Sequence, residues 1–303
     1  MTKPNTFIIG APKCGTTALA HYLSERDDVF LSYPKEPFFL ASDFPALLQR
    51  HGLGEMDDYL KLYSGADPEI HKVIIDASTN YLMSECAIKN ALKLNPDAKF
   101  IALLRNPVDV AHAFHMEQLF AHNEDVNDFE EAWELQDARK AGRSIPNGCF
   151  EPKFLIYKEV VDFFPQVTRF FELVPEDRRL IILQEEMVVN MSSAYERVLA
   201  FLNLPSDGRS DFERQNASHA HRFPALAHLV LEPPELIAPA IEKVRTYLRR
   251  GRYAPVEKLK RWLNVPATRA PMSGEFRESL WRELKPTVME LSRVVPEVEV
   301  WLK

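Results

Sequence analysis

The chain contains few cysteines and few glycines for its length. Of its 303 residues only three are cysteine, at positions 14, 86 and 149, and ten are glycine. Three widely spaced cysteines without a CxxC pair form neither a disulfide framework nor a zinc site of known spacing. Such sparse use of cysteine is typical of a reducing compartment, so we expect a cytoplasmic protein.

The sequence also lacks long apolar runs and an excess of basic charge. No apolar stretch reaches the roughly 18 residues of a membrane-spanning helix, and the apolar segment near the first residue is too short for a signal peptide. The formal net charge is −7. Because general nucleic-acid binders depend on a basic surface, a nucleic acid is not an expected partner, and no membrane-spanning segment is expected.

The first 105 residues alternate between short apolar runs and stretches with helical spacing. The apolar runs predict strands at Thr6–Gly10, Val29–Leu31, Lys72–Asp76 and Lys99–Leu104. Strands that alternate with helices indicate a parallel sheet covered on both faces. The sequence therefore predicts an α/β fold with a P-loop-like central parallel sheet flanked by helices.

After Arg105 the pattern becomes mostly helical. Asn106 is a favourable N-cap and Pro107 a favourable first residue for a helix that extends to about His122. Further helices are expected at Phe129–Ala141, Leu155–Glu172 and Ser193–Leu202, with one more strand at Arg179–Leu183. No repeat or low-complexity linker divides the chain, so we expect one domain over residues 1–303 with a largely helical C-terminal half.

The sharpest local signal is the loop that follows the first predicted strand. It reads GAPKCGTT over residues 10–17 and leads into a helix. In that context backbone N–H groups and the helix dipole converge on an anion. Compared with the GxxxxGK[ST] pattern, Thr16 stands where the lysine is needed and Lys13 lies inside the loop instead. This difference weakens the case for a P-loop nucleotide kinase or small-molecule kinase.

Two further motifs accompany this loop. Residues 33–39 read YPKEPFF, and residues 104–109 read LRNPVD at a predicted strand end that leads into a helix. Together with PKCGTT at 12–17, these motifs resemble the sulfotransferases that use 3′-phosphoadenosine-5′-phosphosulfate (PAPS), in particular the bacterial and heparan-sulfate-type members. In that family they are the 5′-phosphosulfate loop, the segment with the catalytic glutamate and the 3′-phosphate motif.

The resemblance implies a role for individual residues. Lys13 would stabilise the leaving phosphate, Glu36 would accept the proton of the acceptor, and Arg105 would bind the 3′-phosphate. An arginine that ends an apolar strand is costly unless it meets an anion, which agrees with that role. The implied donor-binding set is Lys13, Cys14, Gly15, Thr16, Thr17, Arg105, Ala113 and Arg269.

Three positions differ from the family pattern. Ala113 stands where members usually have a serine that contacts the 3′-phosphate, and Val110 where an arginine is common. Ala77 stands where heparan-sulfate-type members have a lysine, which speaks against a glycosaminoglycan acceptor. Arg269 lies in a basic C-terminal stretch from which members often return a cation to the 3′-phosphate.

Two histidines add another candidate base. His112 and His115 lie three residues apart on one predicted helix and therefore share a face. No carboxylate completes a known metal-binding pattern around them, so we expect no metal. His115 is retained beside Glu36 as a candidate catalytic residue.

The expected reaction is in-line transfer of a sulfuryl group from PAPS to a hydroxyl of a small or medium-sized acceptor. That acceptor is a metabolite, a lipid or a glycan. By analogy with phosphoryl transfer, positioning and charge stabilisation should supply most of the catalysis. Two alternatives remain: a P-loop nucleotide or small-molecule kinase, and a non-catalytic nucleotide-binding module, which the differences at Val110 and Ala113 favour.

Overall fold

The computed structural model describes residues 2–213, 219–223 and 271–303, together with positions 240–241, 244, 248, 258–259 and 262–266. Its centre is a parallel sheet of five strands in the order β2-β3-β1-β4-β5. The strands are β1 (Thr6–Gly10), β2 (Val29–Leu31), β3 (Val73–Asp76), β4 (Lys99–Leu104) and β5 (Arg179–Leu183). The predicted α/β fold with a central parallel sheet is confirmed.

The order of the strands determines where a ligand can bind. From β1 the chain passes to β2 and β3 on one side, and the next connection crosses to β4 on the other side. The carboxyl end of β1 is therefore the switch point of the sheet, where α/β folds open a crevice for ligands. β1 is buried along its whole length, because β3 and β4 pair with it on either side and both faces of the sheet are covered.

Helices of the first half of the chain connect these strands. They are α1 (Thr16–Ser24), α2 (Pro45–His51), α3 (Met56–Lys61), α4 (Ala87–Leu94) and α5 (Pro107–Phe120). Helix α5 begins as predicted, because the Asn106 side chain accepts a hydrogen bond from the Val108 N–H at 3.1 Å and Pro107 occupies the first turn. It ends two residues before the predicted His122.

The second half is mostly helical among the described residues. It contains α6 (Phe129–Glu134), α7 (Gln136–Lys140), α8 (Tyr157–Val161), α9 (Phe163–Leu173), α10 (Gln184–Val189), α11 (Met191–Leu202) and α12 (Gly274–Ser292). Two short strands, β6 (His219–His221) and β7 (Asn264–Pro266), pair antiparallel. Short 3-10 segments lie at Thr79–Tyr81, Pro152–Leu155, Glu176–Arg178 and Pro296–Leu302.

Two predicted helices are each divided in the structure. The segment predicted as one helix over 129–141 is α6 and α7, with Leu135 between them. The segment predicted over 155–172 is α8 and α9, because Asp162 leaves the helical conformation with ψ 77°. The Asp162 carboxylate accepts a hydrogen bond from Thr287 of α12, so a tertiary contact stabilises the break.

Candidate active site

The loop between β1 and α1 is held closely against its neighbours. Gly10 has a φ of +149°, and a Cβ at this position would lie 2.6 Å from the carbonyl oxygen of Thr79. Only glycine fits such an approach without a shift of the backbone. The Ala11 N–H donates to the carbonyl oxygen of Leu103 at 2.6 Å, which ties the loop to β4.

The end of the loop presents the amino terminus of α1. Gly15, with a φ of +93°, is the N-cap residue, and no side chain caps the helix. The first N–H groups of a helix carry its positive dipole end, so this terminus is suited to an anion. Thr16 is buried and Thr17 is exposed, which makes the Thr17 hydroxyl the accessible one of the two.

Cys14 belongs to the loop but not to its accessible surface. Its side chain is buried, and its thiol donates to the carbonyl oxygen of Pro12 at 3.4 Å. Burial raises the pKa of this thiol far above its ordinary value. Cys14 therefore remains a neutral thiol, and its contribution to an anion site is the backbone of the loop.

Lys13 points from the loop to a carboxylate that the sequence analysis missed. Its Nζ lies 3.6 Å from Oε2 of Glu117 on α5, and the two side chains are 34% and 43% exposed. Although this carboxyl is partly exposed, its loss of contact with water raises the pKa of Glu117, while Lys13 opposes the shift and Glu36 adds to it. A signal was available, because Glu117 follows Val110 by seven residues and Ala113 by four, which places it on the same helix face.

Glu36 lies on the segment that leaves β2, beside Lys35. The Lys35 ammonium pairs with the Glu36 carboxylate, and both side chains are partly exposed. The charges of Lys35 and Glu36 both act on Glu117 of α5. The structure therefore brings two lysines and two glutamates together at the carboxyl end of the sheet: Lys13, Lys35, Glu36 and Glu117.

Arg105 lies directly after β4 and against the same loop. Its guanidinium is 3.4 Å from the carbonyl oxygen of Lys13. Within the described residues no carboxylate forms an ion pair with Arg105, so its charge is available for a ligand. The next N–H, of Asn106, donates to Oε1 of Glu185 at 3.0 Å.

Two further positions singled out in the sequence are apolar, and a third lies outside the described residues. Val110 and Ala113 are buried apolar residues of α5. Neither side chain can form a hydrogen bond with a phosphate. Arg269 lies outside the described residues.

His115 lies in the protein core. Its side chain is 1% exposed, its Nε2 is 2.8 Å from the carbonyl oxygen of Val126, and its ring packs against Phe129 and Tyr157. Burial lowers the pKa of the ring. The ring of His112 also stacks on Phe129. The two histidines therefore share a helix face as predicted, and that face packs against Phe129.

Two kinds of feature are absent from the part of the chain that the structure describes. Among these residues no three His, Cys, Asp or Glu side chains converge in a way that could hold a metal ion. No described helix combines the length and apolar character that crossing a bilayer would require. Together with Arg105, the charged group around Lys13 contains three cations and two carboxylates, so positive charge is in excess there.

A parallel sheet with an anion-binding loop after its central strand defines a P-loop-like α/β protein. The sequence model of the Sulfotransferase family matches residues 4–208 of the chain. The chain therefore belongs to the sulfotransferase family and is a transferase. This result confirms the resemblance seen in the three motifs, and it removes the support for the kinase alternative.

Individual relatives agree with the family assignment. The chain is 26% identical over 206 residues to the human bifunctional heparan sulfate N-deacetylase/N-sulfotransferase 2, covering 66% of this chain and 22% of that protein. It is 30% identical over 156 residues to the corresponding enzyme 1 of Xenopus laevis, covering 49% of this chain and 17% of that protein. The chain thus spans about a fifth of the length of these curated relatives.

A solved structure extends the agreement to the fold. A sulfotransferase from Alicyclobacillus acidocaldarius superposes with a TM-score of 0.62 at 26% identity. The match covers 85% of this chain and 100% of that one. The P-loop-like sheet and the helices around it are therefore those of a sulfotransferase.

Proposed function

We propose that the protein transfers a sulfuryl group from PAPS to a hydroxyl of a small or medium-sized acceptor. The observation that supports this proposal is the convergence of Lys13, Arg105 and the uncapped start of α1 on one loop, with Glu36 beside it. Cations and N–H donors on one side match an anionic donor. A carboxylate on the other side matches an acceptor that must lose a proton.

The donor would be held at its two phosphate ends. The loop N–H groups, the Thr17 hydroxyl and Lys13 would bind the 5′-phosphosulfate, because all three lie at the amino terminus of α1. Arg105 would bind the 3′-phosphate, since its planar guanidinium can donate two parallel hydrogen bonds to phosphate oxygens. Lys13 also pairs with Glu117, so a bound phosphosulfate would share or replace this carboxylate as the partner of Lys13.

The transfer step follows from this placement. The acceptor oxygen forms a bond to sulfur while the bond from sulfur to the 5′-phosphate oxygen breaks on the opposite side. The leaving adenosine 3′,5′-bisphosphate gains negative charge, which Lys13 and the loop N–H groups stabilise. The acceptor proton passes to the Glu36 carboxylate, a contribution of about 10²–10⁴-fold for a well-placed base.

Glu36 and Glu117 can be separated as candidate bases by a matched pair of variants. In Glu36→Gln the amide keeps the shape of the side chain but cannot accept the proton. We expect turnover to fall by about 10²-fold or more, with donor affinity unchanged within about twofold. Glu117→Gln should keep turnover within about threefold, because Glu117 forms a partly exposed ion pair with Lys13 and is not the proposed base.

His115 provides the third arm of that experiment. Since its ring is buried in the core, His115→Gln should lower thermal stability more than it lowers turnover of the folded enzyme. If His115→Gln or Glu117→Gln, rather than Glu36→Gln, abolishes turnover of folded protein, then the assignment of the base is wrong. Donor affinity, measured by calorimetry, shows that each variant still binds.

The acceptor is proposed to be smaller and less acidic than a heparan sulfate chain. Ala77 lacks the cation that heparan-sulfate-type members carry there, and the formal net charge of −7 disfavours a long polyanion. The curated relatives are named for their action on heparan sulfate, but this chain spans only about a fifth of their length. A hydroxyl on a metabolite, a lipid or a short glycan fits the chain better.

Two measurements test the function as a whole. In thermal denaturation, adenosine 3′,5′-bisphosphate should raise the melting temperature and ADP with Mg²⁺ should not. Labelled PAPS is then offered with a panel of p-nitrophenol, a sterol, an alkyl glycoside and a heparosan oligosaccharide. Stabilisation only by ADP with Mg²⁺ contradicts the donor assignment. Tight bisphosphate binding without transfer to any member favours the non-catalytic module.

A further inference from the structure

A buried carboxylate lies at the carboxyl end of β3. Asp76 is fully buried, and within the described residues it has no cationic partner. Its Oδ2 accepts hydrogen bonds from the hydroxyls of Tyr59 at 2.7 Å and Tyr81 at 3.0 Å, and its Oδ1 accepts one from Ser78 at 2.6 Å. A buried acidic residue is costly unless its oxygens are satisfied, and here three hydroxyl groups satisfy them.

Two of these hydroxyls connect Asp76 to the segment that carries Glu36. Because Ser78 and Tyr81 donate their hydrogens to Asp76, their oxygens are left to accept. The Ser78 oxygen accepts from the backbone N–H of Phe38 at 3.1 Å, and the Tyr81 oxygen accepts from the N–H of Leu40 at 3.1 Å. Asp76 thus fixes the direction of both hydroxyls and, through them, two backbone groups just after Glu36.

The segment held in this way has an unusual backbone. Glu36 and Phe38 have φ values of +62° and +55°, in the left-handed region that side chains other than glycine rarely adopt. Such conformations persist where the surrounding structure holds them, and they concentrate at functional sites. The two hydrogen bonds to the backbone, at Phe38 and Leu40, provide that support from one side.

We propose that Asp76 is a positioning residue that holds the Glu36 carboxylate in place for catalysis through Ser78 and Tyr81. The inference rests on the proposed function only in taking Glu36 as the base. Burial raises the pKa of Asp76 while its hydroxyl donors oppose the shift. The Ser78 and Tyr81 hydroxyls keep their orientation while each donates to an oxygen of the Asp76 carboxylate, so an amide at position 76 would disturb one of these connections.

The chain offers a closely matched pair of variants for a test. Tyr59→Phe and Tyr81→Phe each remove one buried hydroxyl bond to the same oxygen of Asp76. Only Tyr81 also accepts from the Leu40 N–H. Both variants keep the aromatic ring, so Tyr59 retains its stacking on Phe39. We expect similar losses of thermal stability in the two variants. A difference between them in exchange or turnover would therefore not come from a difference in stability.

The first readout does not depend on activity. Amide hydrogen exchange at Leu40, followed by NMR, should become at least about tenfold faster in Tyr81→Phe and stay unchanged in Tyr59→Phe. Ser78→Ala should have the corresponding effect at Phe38. If exchange at Leu40 is equal in the two tyrosine variants, the connection is absent and the proposal is overturned, whatever the enzyme does.

The second readout is turnover of labelled PAPS with the most active member of the acceptor panel. Tyr81→Phe should lower kcat by about tenfold with donor affinity within about twofold, while Tyr59→Phe keeps kcat within about twofold. In a Glu36→Gln background Tyr81→Phe should cause no further loss, because its effect acts through Glu36.

Failure of the inference and failure of the proposed function look different. Faster exchange at Leu40 with normal turnover in Tyr81→Phe, beside an inactive Glu36→Gln, overturns the positioning role alone. Equal losses of kcat in the two tyrosine variants also overturn it, because they indicate general damage. Normal turnover in Glu36→Gln instead overturns the choice of base, and with it the catalytic part of this inference.

Discussion

Lys13 is paired with Glu117 of α5, although family resemblance alone assigns its charge to the donor. The pair is partly exposed on both sides, so solvent screens much of its attraction. A phosphosulfate carries more charge than a carboxylate, and in the proposed function the loop N–H groups would bind it as well. The Lys13–Glu117 pair would then compete with the donor, and its removal should favour binding.

Glu117→Gln should tighten binding of adenosine 3′,5′-bisphosphate by about two- to fivefold. This range corresponds to ~0.4–1 kcal/mol, within the ~0.2–1 kcal/mol typical of an exposed ion pair that no longer has to be broken. Calorimetric titration measures the change. Glu130→Gln, at an exposed position of α6, serves as the control for loss of one negative charge. Weaker binding in Glu117→Gln would show that the carboxylate helps to hold the donor.

Arg105→Ala should weaken binding of adenosine 3′,5′-bisphosphate by about 2–3 kcal/mol, the scale of a charge-assisted hydrogen bond lost from a phosphate. The loss should be much smaller for adenosine 5′-phosphosulfate, which has no 3′-phosphate. Arg105→Lys should restore only part of the affinity, because an ammonium cannot donate as a planar fork. Equal losses for both ligands would indicate that Arg105 acts by holding the loop through the Lys13 carbonyl.

At the scale of elements, the connection between β1 and α1 depends on a close approach to the turn after β3. Gly10→Ala should lower the free energy of unfolding by roughly 2–4 kcal/mol, since its Cβ would meet the Thr79 oxygen and its φ is unfavourable. Gly54→Ala is the matched control, because nothing lies within 4 Å of the Cβ it adds. Urea unfolding compares the two, and equal stability would contradict this account of the loop.

The elements that sequence patterns predicted are those defined by local signals. The five strands follow from short apolar runs, and the start of α5 follows from Asn106 and Pro107, which act within one turn. The break at Asp162 was not predicted, because its hydrogen bond to Thr287 joins residues far apart in the chain. Local sequence patterns contain no information about contacts between residues so far apart in the chain.

The residues of the candidate site also differ in whether a local sequence signal predicts them. Lys13, Glu36 and Arg105 lie in short motifs that carry their own signal. Glu117 has no motif, and one glutamate on a helix resembles a solvated residue until pairing of β1 with β4 brings the loop beside α5. Asp76 ends a predicted strand, but its connection to the Glu36 segment depends on side-chain geometry that a sequence does not contain.

At the scale of the whole molecule, a buried ion pair connects α7 to the chain after α5. Arg139 donates to both oxygens of Glu124 at 2.7 Å, and the Tyr157 hydroxyl donates at 2.6 Å, with both charged side chains fully buried. Burial alone would raise the pKa of Glu124, but hydrogen bonds from Arg139 and Tyr157 outweigh it and hold the pKa below its ordinary value. The network therefore stabilises the ionised form.

Glu124→Gln should lower the free energy of unfolding by roughly 3–5 kcal/mol at neutral pH, because Arg139 is left buried without its counter-ion. The lowered pKa means that this stability is present above the unfolded glutamate pKa and is lost as pH falls through the folded one. The difference between wild type and variant should therefore narrow on acidification. Urea unfolding across acidic pH measures it, and a constant difference would contradict the linkage.

Transfer from PAPS with Lys13 at the leaving phosphate is the central claim, and turnover of Lys13→Ala tests it most directly. We expect a loss of about 10²-fold or more in transfer of labelled sulfate, because the cation beside the leaving group is removed. Thermal stability should change little, since the Lys13 side chain is partly exposed. Transfer within about threefold of wild type by a folded Lys13→Ala enzyme would contradict the account.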